Sequence, residues 1–114
     1  MVIGIPYSNG EIFQHFGKAP QFAIYTVNNK EIVSTEVVDA MGQGHGNAVS
    51  IFTSKGVDTV ICGGMGSGAY NGLQSAGIFL VYPGISGLAE DAVKKLINGE
   101  LELNLGAVHA CHHS

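Results

Sequence analysis

Apolar positions in this chain come in short blocks, and the spacing within the blocks changes part-way along. Residues 2–6 (Val-Ile-Gly-Ile-Pro) form a short apolar run, which predicts a strand. Between Tyr7 and Gln21 stand Asn9-Gly10, His15-Phe16-Gly17 and Pro20, the chemistry of a loop with room for one helical turn. Residues 22–27 and 32–38 are rich in β-branched and aromatic side chains, with Asn28-Asn29-Lys30 between them. That pattern predicts a β-hairpin, because asparagine tolerates the left-handed backbone of a tight turn.

After Asp39 the grammar changes. Gly42-Gln43-Gly44-His45-Gly46-Asn47 reads as a glycine-rich loop, and Ala48, Val49, Ile51 and Phe52 predict a short helix closed by Gly56. Residues 57–62 follow as a strand, then a second glycine loop, Gly63-Gly64-Met65-Gly66-Ser67-Gly68. Residues 69–76 predict a helix stopped by Gly77, and residues 78–82 a strand ended by Pro83-Gly84. Ser86 is placed to cap a last helix in which Leu88, Ala92, Val93, Leu96 and Ile97 share one face, with Gly99 as its stop. The reading is one domain over 1–104 and a tail over 105–114.

Strand, hairpin, then alternating helix and strand imply parallel strands joined by right-handed crossovers, with the hairpin adding one antiparallel strand. The expected fold is therefore α/β, ribonuclease H-like: a mixed five-stranded sheet with one antiparallel strand, flanked by helices. Such an architecture does not fix a function. Nucleases built on it need carboxylates at strand ends to hold two metals, and residues 2–6 contain none.

Composition narrows the partners. The chain has 114 residues, 46% of them apolar, enough for a core without disulfide staples. Five lysines and no arginine stand against nine acidic residues, giving −4. Nucleic acid is not an expected partner, since both the basic footprint and the guanine-reading arginine are missing. No polybasic membrane patch occurs. Residues 59–89 carry no charge at all, yet eight glycines, Pro83 and several polar residues interrupt the run, so a membrane span is not expected either. The N-terminus lacks a basic region ahead of its apolar run, and Cys62 and Cys111 lie far apart, so the expected setting is the reducing cytoplasm.

With parallel strands pointing one way, the loops 7–21, 42–47 and 63–68 and the Pro83 turn gather at one sheet edge, the carboxyl edge where open α/β sheets bind ligands. Those loops carry His15, His45, Cys62 and Met65 with ten of the seventeen glycines in or beside them. Imidazole, thiolate and thioether are soft or borderline metal ligands, and glycine-rich turns entering helices aim N–H groups at anions. A sulfide-bridged metal cluster of net negative charge suits both features. Each candidate has an ordinary alternative. His15 can serve to hydrogen-bond its loop; Cys62 ends an apolar strand and can be a small buried hydrophobe. Met65 can be core filler, though in a glycine loop it has little core to fill. His45, freed by Gly44 and Gly46, points more clearly to function.

Two other chemistries are legible. Gly64-Met65-Gly66-Ser67-Gly68-Ala69 matches a dinucleotide-binding pattern, but no acidic residue ends the following strand to hold a ribose. A small nucleotide- or anion-binding regulatory domain is the corresponding reading. The terminal His109-Ala110-Cys111-His112-His113 is a competent metal tract, which gives a third reading: a mononuclear metal-binding or redox-sensing protein working through Cys111, His112 and His113. No hydrolase triad can be assembled, the acids near the His-bearing loops being only Glu11 and Asp39.

Taken in order and spacing, His15-Phe16-Gly17, Gly44-His45-Gly46 and the strand-ending Gly63-Gly64-Met65-Gly66 resemble the nitrogenase iron–molybdenum cofactor biosynthesis family, the domain type of NifX and of the C-terminal part of NifB. The resemblance implies a non-enzymatic carrier or scaffold for an iron–sulfur or molybdenum–iron–sulfur cluster. It implies as partner a cluster-synthesising or cluster-accepting protein. It carries His15, His45, Gly44, Gly46 and Gly63 to Gly66 over as candidate ligands or cradle, with Cys62 adjacent.

Overall fold

A computed structural model of the chain describes residues 1–40 and 44–101, with Gly17 and residues 44–47 described by backbone alone. The predicted Gly42–Asn47 loop therefore lies partly outside the described residues, as do Cys111, His112 and His113 with the whole tail.

The described elements are β1 (Val2–Ser8), β2 (Glu11–Ile12), a 3-10 turn (Phe16–Lys18), β3 (Gln21–Asn28) and β4 (Glu31–Asp39). They are followed by α1 (Gly44–Ser54), β5 (Thr59–Ile61), α2 (Ser67–Ser75), β6 (Leu80–Tyr82) and α3 (Ala89–Ile97). The sheet has six strands, not five. Its main path runs β4-β3-β1-β5-β6, and the two-residue β2 pairs with β1 off that path. β3 lies antiparallel between β1 and β4, while β1, β5 and β6 are parallel neighbours. The extra strand escapes sequence reading because two residues show no period. It forms when Asn9, at φ +50°, and Gly10, at φ +87°, fold the chain back on β1.

The hairpin turn is where expected: Asn29 and Lys30 both take positive φ at the β3–β4 connection. All three helix starts differ from expectation, α2 beginning at Ser67 within the expected glycine loop and not at Ala69. α1 begins at Gly44, so Gly44, His45 and Gly46 form its first turn and not a loop. Glycine costs a helix interior about 1 kcal/mol, but burial of Ala48 and Phe52, one turn apart on the inward face, holds the helix on the sheet. α3 takes Leu88, not Ser86, as its N-cap residue, and no side chain caps it. The Ala89 N–H instead donates to the Gly10 carbonyl at 3.0 Å, tying the helix start to the β1–β2 turn.

The sheet divides the core in two. On one face α1 and α2 cover Phe16, Phe22, Phe52, Val60, Cys62, Met65 and Leu73; on the other α3 covers Ile3, Ile5, Tyr25, Ile61 and Val93. Phe22 and Phe52 meet edge to face with ring centroids 5.1 Å apart, and Phe16 lies 6.1 Å from each. Gly4 is required beneath them, since a Cβ there would come within 2.7 Å of the Phe52 ring. The charge-free stretch is spent on β5, α2, β6 and their turns, and no helix among the described residues is long and apolar enough to cross a membrane.

Candidate functional site

Because β1, β4, β5 and β6 run the same way, their carboxyl ends share one edge. Tyr7 and Asp39 flank Gln21 across the ladder there, and the chain leaves β5 into Cys62-Gly63-Gly64 and β6 into Pro83-Gly84. The segment after β2 crosses this edge and is stitched to the Gly63 turn. The Gly64 N–H donates to the Gln14 carbonyl at 2.8 Å, and the Phe16 N–H donates to the Gly64 carbonyl at 3.3 Å, so His15 and Gly64 form an isolated parallel bridge. The turn after β6 is fastened to the same place: the Gly84 N–H reaches Gly63 O at 2.8 Å and the Ile85 N–H reaches Cys62 O at 2.9 Å.

His15 therefore stands where expected, with its imidazole exposed on the rim of the glycine turn. Phe13 meets the ring edge to face at 6.3 Å, and a groove of about 320 Å³ runs beside it past Ser8, Asn9, Glu11 and Gln14. α1 follows β4 after residues 41–43, which starts it at the same edge and puts His45 in its first turn, and the 3-10 turn after His15 packs on that helix through Phe16 and Phe52.

Other candidates are displaced. Met65 is 3% exposed and belongs to the core under α2, so the expectation that it has little core to fill is corrected: the glycine turn points it inward. Cys62 is fully buried in the same core, the small-hydrophobe alternative realised. Gly63 is buried as well, and the Gln14 carboxamide occupies the space that a Cβ there would take. Among the described residues no three His, Cys, Asp or Glu side chains converge on a point that could hold a metal ion.

Gly64 to Gly68 are different. A Cβ added at Gly66 or Gly68 would meet open space, and Gly66 is the N-cap of α2 with no side-chain cap. The first turn of α2 carries no acidic residue, nor does that of α1. The first N–H groups of a helix have no intrahelical partner and carry partial positive charge, so this end of the molecule is suited to an anion. Gln14 was the residue missed by sequence reading; nothing in a lone glutamine between Phe13 and His15 signals that it lies against a glycine 49 positions away.

The family description "Dinitrogenase iron-molybdenum cofactor" matches residues 1–99. The chain belongs to this family. Among relatives of the dinitrogenase iron–molybdenum cofactor domain, it is 28% identical over 107 residues to an uncharacterized protein of Methanocaldococcus jannaschii, MJ0580, covering 90% of each chain. The crystal structure of PH0822 superposes with a TM-score of 0.83 at 26% identity, over 91% of this chain and 95% of that one. The apo form of the orange protein from Desulfovibrio gigas gives 0.79 at 24% identity, over 90% and 92%, a likeness of fold.

Proposed function

We propose that the protein is a non-enzymatic carrier or scaffold that holds an anionic metal–sulfur cluster, an iron–sulfur or molybdenum–iron–sulfur species, at the carboxyl edge of its sheet. The observation that carries this reading is the His15–Gly64 bridge, which sets an exposed imidazole beside a glycine turn opening into an uncapped, acid-free helix start. Membership of the family supports it. The strand order, with β2 set aside, supports the ribonuclease H-like description of the fold.

In this reading His15 supplies a ligand, and His45, with Gly44 and Gly46 about it, supplies a second from the first turn of α1. Gly64 and Gly66 leave backbone close to the cargo, and the α2 N–H groups answer its negative charge. Few protein ligands mean a cargo that can leave, which suits delivery to or from a cluster-synthesising or cluster-accepting partner. The tail can add Cys111, His112 and His113. Leu101 lies in a groove with Gly84, Ile85 and Leu88, beside the turn fastened to Gly63.

Anaerobic mixing with a preformed thiolate-ligated iron–sulfur cluster should give a coloured complex with acid-labile sulfide in fixed proportion to protein. His15→Ala and His45→Ala should each weaken retention at least about tenfold, the loss of one ligand bond. Full retention by both variants would refute the assignment. The reading through the tail alone predicts instead that deleting residues 109–114 abolishes metal binding and that both histidine variants leave it intact.

A further inference from the structure

We infer that Gln14 is the positioning residue of this rim, a clasp that holds the His15 segment onto the Gly63–Gly64 turn. Its Nε2 donates to two carbonyls, Ile12 O and Ile85 O, each at 3.2 Å. Its carboxamide lies over the Cα of Gly63, in the space a side chain there would take. Its own carbonyl accepts the Gly64 N–H. One residue thus joins three chain segments that come from β2, β5 and β6. Gly63 leaves room for this side chain, and its backbone φ lies outside the left-handed region, so no turn conformation calls for glycine there. The backbone bridge of His15 to Gly64 is a pair of hydrogen bonds, and such a pair holds a fixed geometry only when its flanks are pinned. Phe16, buried against Phe52, anchors the flank after His15, and the clasp pins the flank before it.

The consequence for function rests on the carrier reading above; the clasp itself does not. In the full-length protein without cargo, Gln14→Ala should speed amide hydrogen exchange at Gly64 and Phe16 about 5- to 10-fold, the equivalent of one lost hydrogen bond. It should also shift the His15 ring resonances, while the melting temperature moves by no more than about 4–8 °C. Gly63→Ala should have the same local effect, because the new methyl displaces the carboxamide. The double variant Gln14→Ala/Gly63→Ala should be no worse than either single, the non-additivity of two residues sharing one contact. Uptake of the preformed iron–sulfur cluster should fall in parallel with the exchange at Gly64. Wild-type exchange and His15 signals in Gln14→Ala, or strictly additive effects in the double variant, would overturn the clasp. Exchange that rises as expected while wild-type protein takes up no cluster would leave the clasp standing and sink the carrier reading.

Discussion

The starts of α2 and α3 differ in almost every respect. α3 has Glu90 and Asp91 in its first turn and Lys94 and Lys95 in its last, with Lys94 Nζ 3.6 Å from Glu90 Oε2. Its first N–H is given to Gly10 O, and Ala89, Ala92 and Val93 bury one clean face. α2 has no charge in either end turn, a glycine for its N-cap and open space at Gly66 and Gly68. A helix start is equivalent to about half a positive charge. In α3 the protein's own carboxylates answer it; in α2 nothing of that kind does. One helix start is answered by the protein's own charges and the other is not, which is the difference the carrier proposal uses. The difference also separates the two faces of the sheet into a structural side and a side that carries the rim.

The largest effect should come from removing what links the rim to its core. Phe52→Ala should cost about 3–5 kcal/mol in denaturant unfolding, since a fully buried ring in contact with Phe16 and Phe22 leaves a cavity. Phe16 follows His15 directly, so the His15 ring resonances should move as well. Val93→Ala, under α3, should destabilise while leaving those resonances in place. Equal disturbance of His15 by both would erase the distinction between the faces.

A second effect belongs to the α3 side alone. Burial, then the neighbouring Tyr7 and Glu90, raise the Tyr25 hydroxyl from 10.0 to about 12. A raised tyrosine favours the folded state while protonated. The contribution is complete below pH 10, the unfolded value, and is lost as pH rises through 12. Unfolding free energy should therefore fall across that interval, and Tyr25→Phe should remove this part of the slope. An unchanged slope in the variant would show that the phenol is not the group responsible.

Smaller still, Glu90→Gln and Asp91→Asn should each cost about 0.3–1 kcal/mol through the helix dipole. Their effect should shrink in high salt, and neither should alter cluster retention. Loss of retention in either would bring α3 into the site.

Much of this arrangement was legible beforehand where the physics is local. The Asn28-Asn29-Lys30 turn, the stops at Gly56, Gly77 and Gly99, all at positive φ, and the convergence of loops at the carboxyl edge follow from turn chemistry and chain direction. What was not legible depends on contacts distant in sequence. β2 exists because it can pair with β1; α1 starts early because Ala48 and Phe52 find the core; Met65 turns inward because α2 leaves room beneath it. Gly63 looks like its neighbours in the sequence, yet the Gln14 carboxamide lies where its Cβ would be while Gly66 faces open space. A run of glycines gives the freedom and conceals which member uses it.

Gly66→Asp puts both claims about α2 into one molecule. Gly66 has φ −78° and ψ 165°, a conformation aspartate accepts at an N-cap without collision. The new carboxylate should cap α2 and raise unfolding free energy by a few tenths of a kcal/mol. The same charge should repel an anionic metal–sulfur cluster and reduce its retention at least about tenfold. Measured side by side, higher stability with lost cluster is the predicted result. A stabilised variant that holds the cluster as tightly as the parent would contradict it.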